Sequence, residues 1–256
     1  MAGMRIEDLA GRDRPAGRLV VCLGDSITEG QLSSNWVDRL QAAHAGDEVR
    51  VVNAGVSGDL TWNVLQRLDP VIAARPDVVV LLAGTNDVGF ANGPNMEAMY
   101  RRRQKLPHEA RPSLGWYEEC LALTLDRLRA GTSARIAAIE IPINGEDLAS
   151  AQNQRVRAYN AVLHRLADDR GIPVLPLYER LAALLPAGHR PPPFRPTIGL
   201  MISSALRHCV LRRSWDAVAA ANGFALLIDG VHLNDRAASV VAELVGRFLA
   251  EDAAAH

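Results

Sequence analysis

Four short clusters hold the residue types that acyl chemistry through a serine requires. In G-D-S-I-T at 24–28, the apolar run Leu19–Leu23 stops abruptly at Gly24, Asp25 and Ser26. A serine hydroxyl is a weak nucleophile until a positioned base takes its proton. A serine just past a strand is also a common helix cap, so this stretch alone leaves both roles open. Seven histidines are candidates for the base. His44 and His164 fall in helical patterns, and His108, His189, His208 and His256 lie in loops, a basic segment or the terminus. His232 differs, because Asp229 stands three residues before it in L-L-I-D-G-V-H-L-N-D. One turn at that spacing sets the carboxylate against one imidazole nitrogen and leaves the other free to face a serine.

The remaining clusters are N-A-G-V-S-G-D at 53–59 and G-T-N-D at 84–87. Attack on an acyl group builds negative charge on the former carbonyl oxygen, which needs preorganised donors. Glycine lets a backbone N–H approach closely, and an asparagine amide adds a side-chain donor. Gly55, Gly58, Gly84 and Asn86 could supply such donors, although each is also an ordinary turn residue.

The elements that must position these clusters alternate. Apolar, β-rich runs occur at Leu19–Leu23, Val49–Val52, Val78–Leu82, Ile136–Ile143 and Ile172–Leu177. Amphipathic stretches at helical spacing lie between them, at 34–46, 61–75, 113–130 and 151–170. In 151–170 the stripe is Val156, Tyr159, Leu163, Leu166 and Ala167, with Gly171 as C-cap; a last helix starts at Asn234 as N-cap. This order predicts an α/β fold, a parallel sheet of five strands covered by helices on both faces. The four clusters then follow strand ends or lie on the same edge, where open α/β sheets bind ligands.

No repeat or composition break marks a second domain. Residues 18–252 read as one domain, preceded by a flexible segment at 1–17. Two connections are long, 88–112 and 186–222, and long connections in a compact domain are usually functional. The first contains Arg101, Arg102, Arg103 and Lys105, the last being the only lysine. The second has Pro191, Pro192, Pro193 and Pro196, then a segment at 197–213 that places Ile198, Met201, Ile202, Ala205, Cys209 and Val210 on one helical face. That segment reads either as a surface helix or as a lid, and a basic amphipathic helix can also lie on an anionic membrane.

Composition narrows the classes. A chain of 256 residues with 48% hydrophobic and 22% charged residues is an ordinary globular protein. A net charge of −1 argues against nucleic-acid binding. Three cysteines without a C-x-x-C pairing suggest neither a disulfide framework nor a zinc site. The charged opening is unlike a signal peptide, and no apolar run is long enough to span a bilayer, so the cytoplasm is the expected location. There is no P-loop lysine, no G-x-G-x-x-G after a strand and no G-x-S-x-G around the serine.

The four clusters together resemble the SGNH, or GDSL, hydrolases, in family order, over roughly 18–185 and 224–252. The resemblance implies a flavodoxin-like three-layer α/β/α sandwich and no metal or organic cofactor. It implies Ser26 as nucleophile, His232 as base and Asp229 as its orienter. The backbone N–H groups of Ser26 and Gly58, with the Asn86 side chain, would form the oxyanion hole. Asp25, Thr28, Asn53 and Asp87 would brace the loops. The expected activity is hydrolysis of a small-molecule, sugar or lipid ester through an acyl-Ser26 intermediate. An acyltransferase using the same acyl-enzyme is the alternative, and a catalytically silent binding protein a third reading.

Overall fold

The computed structural model describes residues 4–9, 16–46, 48–89, 94–194 and 198–253. Its centre is a fully parallel sheet of strands β1 (Met4–Arg5), β2 (Arg18–Gly24), β3 (Val49–Gly55), β4 (Val78–Leu82), β5 (Arg135–Ile139) and β6 (Val174–Leu175). Their spatial order is β1-β3-β2-β4-β5-β6. Leu19 to Leu23 are wholly buried, as are Val78 to Val80 and Leu82, which explains why these strands read as unbroken apolar runs instead of alternating ones. One core joins both faces of the sheet, from Ile6 to Leu249.

Helices cover both faces. The Trp36–Ala43 and Asp235–Ala253 helices pack together, and Asp235–Ala253 also meets Leu177–Leu184. Elsewhere Leu114–Gly131 packs on Thr61–Gln66, Leu68–Ala73 and Ala151–Asp168. Asn234 caps the last helix as expected, its Oδ1 accepting from the Ala237 amide at 3.0 Å. The Ala151–Asp168 stripe is buried, and Gly171 follows it at φ +63°.

Several boundaries differ from the sequence reading. The stretch 61–75 is two helices, Thr61–Gln66 and Leu68–Ala73. Pro70 has no N–H to give the Gln66 carbonyl, so the helix breaks at Arg67. The runs Ile136–Ile143 and Ile172–Leu177 shorten to Arg135–Ile139 and Val174–Leu175. The sheet has six strands rather than five, because Met4–Arg5 pairs with Val52–Asn53 on the outer edge. Within the segment expected to be flexible, Met4–Leu9 therefore form a strand and a 3₁₀ turn, fixed by burial of Ile6; residues 1–3 and 10–15 lie outside the described residues. No helix among the described residues is long and apolar enough to cross a membrane.

The sheet topology places the site. From β2 the chain moves outward to β3, then crosses back over β2 to β4. Loops leaving β2 and β4 diverge at such a switch point and open a crevice at the carboxyl edge. Gly24 is in register with Gly55 on one side and Leu82 on the other. A Cβ on Gly55 would stand 2.2 Å from the Glu29 backbone nitrogen, so only glycine lets the Ser26–Glu29 helix settle on the strand ends. Gly55→Ala should lower stability by about 3 kcal/mol through overpacking against backbone, read as a lower urea midpoint at unchanged m value.

Candidate active site

Ser26 is the first residue of a four-residue helix, Ser26–Glu29, that follows β2 directly. The capping role open to Ser26 in the sequence belongs to Asp25, whose Oδ1 accepts from the Ile27 amide at 3.0 Å. The serine hydroxyl is thereby spared. Its Oγ lies 3.2 Å from His232 Nε2, across 206 residues of sequence.

Asp229 and His232 occupy one tight turn. Asp229 Oδ1 accepts from the amides of Val231 at 3.0 Å and His232 at 2.9 Å. The Ile228 amide donates to the His232 carbonyl at 2.7 Å, closing the turn, and Gly230 takes φ +92° within it. His232 Nδ1 then stands 2.8 Å from Asp229 Oδ2. An ionised carboxylate can only accept, so Nδ1 carries the proton and Nε2 of the neutral ring is left as an acceptor facing Ser26. Burial works to raise the Asp229 carboxyl, but the His232 charge and the hydrogen bonds to it prevail, and its pKa falls below the usual value. Burial works to lower His232, yet the Asp229 carboxylate, with a smaller contribution from Asp25, raises it. Such an arrangement can accept a proton from a serine and hold the resulting imidazolium.

The oxyanion candidates line the neighbouring turns. The Val56 amide donates to the Gly24 carbonyl at 3.1 Å, tying the 56–59 turn to β2, and Gly58 takes φ +76° there. Asn86 Nδ2 donates to the Asp59 carbonyl at 2.9 Å, which links the β4 loop to the residue after Gly58. One amide N–H is fixed in this way, and the second has no protein acceptor among the described residues. Among the described residues no hydrogen bond joins Ser26 Oγ to Gly58 or Asn86, and these turns set their placement beside it.

Profile comparison gives the family. The GDSL-like lipase/acylhydrolase family matches residues 22–239. The chain belongs to that family. Over 78 residues it is 35% identical to an arylesterase from Vibrio mimicus and 38% identical to esterase TesA from Pseudomonas aeruginosa. Each match covers 28% of this chain and 39% of the relative. The fold matches a lipase/acylhydrolase from Enterococcus faecalis, with TM-score 0.60 at 21% identity over 91% of this chain and 95% of that one.

Beside these residues, the side chains of Asn53 and Asp87, expected to brace the loops, hydrogen-bond within them. Asn53 Nδ2 donates to the carbonyls of Thr28 at 2.8 Å and Glu29 at 3.3 Å, while its Oδ1 accepts from the Gly55 amide at 2.9 Å. Asp87 Oδ2 accepts from the Thr61 amide and hydroxyl at 3.0 and 3.1 Å. Thr28 is fully buried in the same layer. Burial raises the Asp25 carboxyl to about 7 and that of Asp87 to about 6. Among the described residues no group of His, Cys, Asp and Glu could hold a metal ion.

Other supports escaped the sequence reading. Arg67, at the break before Pro70, donates to the carbonyls of Gly24 and Ala54 and to Asp59 Oδ2, at 2.7, 2.8 and 2.6 Å. Asp59 also takes Lys105 Nζ at 2.8 Å, so the 88–112 connection is anchored beside Gly58. Glu29 accepts from the Ser57 amide at 2.9 Å and from the Ser57 hydroxyl, and pairs with Arg5 at 3.2 Å. Glu146 gathers the amides of Ala225, Leu226 and Leu227 at 2.8, 2.7 and 2.8 Å and meets His189 Nε2 at 2.6 Å, steadying the approach to Asp229. The sequence carries no local signal for this last support, because Glu146 follows the Ile136–Ile143 run as an ordinary loop residue would.

The raised Asp25 carboxyl has a sign for stability. Its folded pKa lies above the unfolded one, so its contribution is present below about pH 4 and is lost as pH rises through about 7. Asp25→Asn keeps an oxygen for the Ile27 amide but cannot ionise. Its melting temperature should fall less than wild type between about pH 5 and 8; equal slopes in a calorimetric pH series would contradict burial of that carboxyl.

Proposed function

We propose that this protein is a carboxylic ester hydrolase working through an acyl-Ser26 intermediate on a small-molecule, sugar or lipid ester. The observation that carries this reading is the hydrogen-bonded line Asp229–His232–Ser26, at 2.8 and 3.2 Å, at the switch point of the sheet. Relatives named as esterases support the same class.

His232 Nε2 takes the proton as Ser26 Oγ attacks the ester carbonyl carbon. Asp229 stays ionised and steadies the imidazolium. The oxyanion accepts from the backbone N–H of Ser26, the backbone N–H of Gly58 and Asn86 Nδ2. The intermediate collapses, the C–O bond to the alcohol breaks, and the alcohol leaves with the proton from His232. Water then attacks the acyl-Ser26 carbonyl, giving its proton to His232, and the acid departs as Ser26 regains its hydrogen. The chemistry draws on these side chains and backbone amides and calls for no cofactor.

Turnover of p-nitrophenyl esters tests the roles. Ser26→Ala should abolish turnover and labelling by a fluorophosphonate probe; a wild-type protein that folds yet resists the probe overturns the acyl-enzyme. Asn86→Ala should cost on the order of 10²–10³ in kcat, the loss typical of one oxyanion donor. The base must be neutral in the free enzyme, so the acid limb of kcat/KM should lie above the ordinary imidazole value of about 6.5. Asp229→Asn removes the charge that raises His232, which should move that limb downward while kcat falls on the order of 10⁴.

A further inference from the structure

The Ile198–Cys209 helix turns its apolar side outward. Ile202, Leu206, Val210 and Leu211 are 63, 58, 64 and 60% exposed, and the first three lie four residues apart on one stripe. The face expected from the sequence is thus divided: Met201 and Ala205 are half-buried, whereas Ile202, Cys209 and Val210 face out; the Ile198 side chain lies outside the described residues. The inward side is small, polar and aromatic. Ser204 is buried and accepts from Asn222 Nδ2 at 3.0 Å, Arg207 donates to Asn222 Oδ1 at 2.8 Å, and the His208 ring stacks on Trp215 with centroids 4.0 Å apart. A helix serving only to close a core would present the reverse pattern. Contiguous exposed apolar residues of this size mark an interaction surface.

The charge beside the stripe says what the surface meets. From Pro186 to Trp215 the chain carries five arginines and no acidic residue. Arg212 and Arg213 follow Leu211 directly, are exposed, and form no ion pair with a carboxylate among the described residues. Guanidinium groups pair with phosphate in fixed fork geometry. An apolar stripe flanked by such groups matches a bilayer with anionic headgroups, the side chains entering the acyl boundary and the arginines resting on the phosphates.

We propose that the 198–213 segment docks this protein onto anionic lipid bilayers. The docking face is tied to the candidate active site: Asn222, held by Ser204 and Arg207, also donates to the Ile228 carbonyl at 2.8 Å, next to Asp229. In the same connection the Phe194 ring lies against Gly145 and Gly230. A bilayer seated on the helix would therefore sit on a part of the protein that bears directly on the catalytic turn.

Co-sedimentation of the full chain with phosphatidylcholine vesicles, with and without phosphatidylglycerol, tests the proposal without any activity measurement. Wild type should pellet with the phosphatidylglycerol vesicles, stay in solution with phosphatidylcholine alone, and be released by added salt. Arg212→Gln with Arg213→Gln should weaken binding by about tenfold or more. Leu206→Ser with Val210→Ser should weaken it comparably, and both pairs should keep the wild-type melting temperature because the replaced side chains face solvent. Wild type left in the supernatant at low salt, or equal binding to both vesicle types, overturns the proposal. So does a dimer in sedimentation equilibrium that Leu206→Ser with Val210→Ser dissociates, since a second copy would then cover the face.

Discussion

The close seating of the Ser26–Glu29 helix on the ends of β2 and β3 is the constraint from which the rest of the site follows. It depends on a bare Cα at Gly55, within van der Waals reach of the Glu29 backbone, and on Gly24 lying between Gly55 and Leu82 in the sheet register. Once that short helix is down, Asn53 can reach the Thr28 and Glu29 carbonyls, and Glu29 can gather Ser57 and Arg5. Ser26 then projects from the edge toward the turn that brings His232 to it. A parallel sheet makes this possible because all its strands end at one edge, so loops far apart in sequence become neighbours.

Three buried carboxylates in this small volume are treated differently by their surroundings. Asp229 has a cation-forming partner and backbone donors, and its pKa is held down. Asp25 and Asp87 are as deeply buried but lack a cationic partner of that kind, so burial raises them to about 7 and about 6. Charge is thereby favoured on Asp229, which pairs with His232, while burial opposes it on Asp25 and Asp87. Separation of carboxyl pKa values by environment is how one site assigns distinct tasks to like groups. Asp59, by contrast, is paired with Arg67 and Lys105 and serves as a tie between the Gly58 turn and the 88–112 connection.

The two long connections are thus parts of the site's frame as well as additions to the fold. Lys105 holds the Gly58 turn from one, and Phe194, His189 and Asn222 bear on the Asp229–His232 turn from the other. The Ile198–Cys209 helix is attached by polar contacts on its inner side, which leaves its apolar side for something outside the protein.

Much of this was legible in the residues. Buried parallel strands need apolar runs, so β2, β3 and β4 announced themselves in Leu19–Leu23, Val49–Val52 and Val78–Leu82. Asp229 and His232 could be paired from sequence because their contact is made within one turn, where local geometry suffices. The two-residue strand β1 was not so legible, because a strand this short carries little pattern and exists through its pairing with Val52 and Asn53; β6 was legible as the Ile172–Leu177 run, though its shortness was not. Nor were Arg67, Glu29 and Glu146, since a buried charged side chain looks like a surface one until its backbone partners, dozens of residues away, are known. Whether Ser26 caps the helix also waited on the fold: Asp25 takes that role, and the Ser26 hydroxyl is left to face His232. Residue types and local spacing are written along the chain and determined the chemistry on offer. Which groups meet across 206 residues, and which face of the 198–209 helix is left open, are set by packing, and only the tertiary structure decided them.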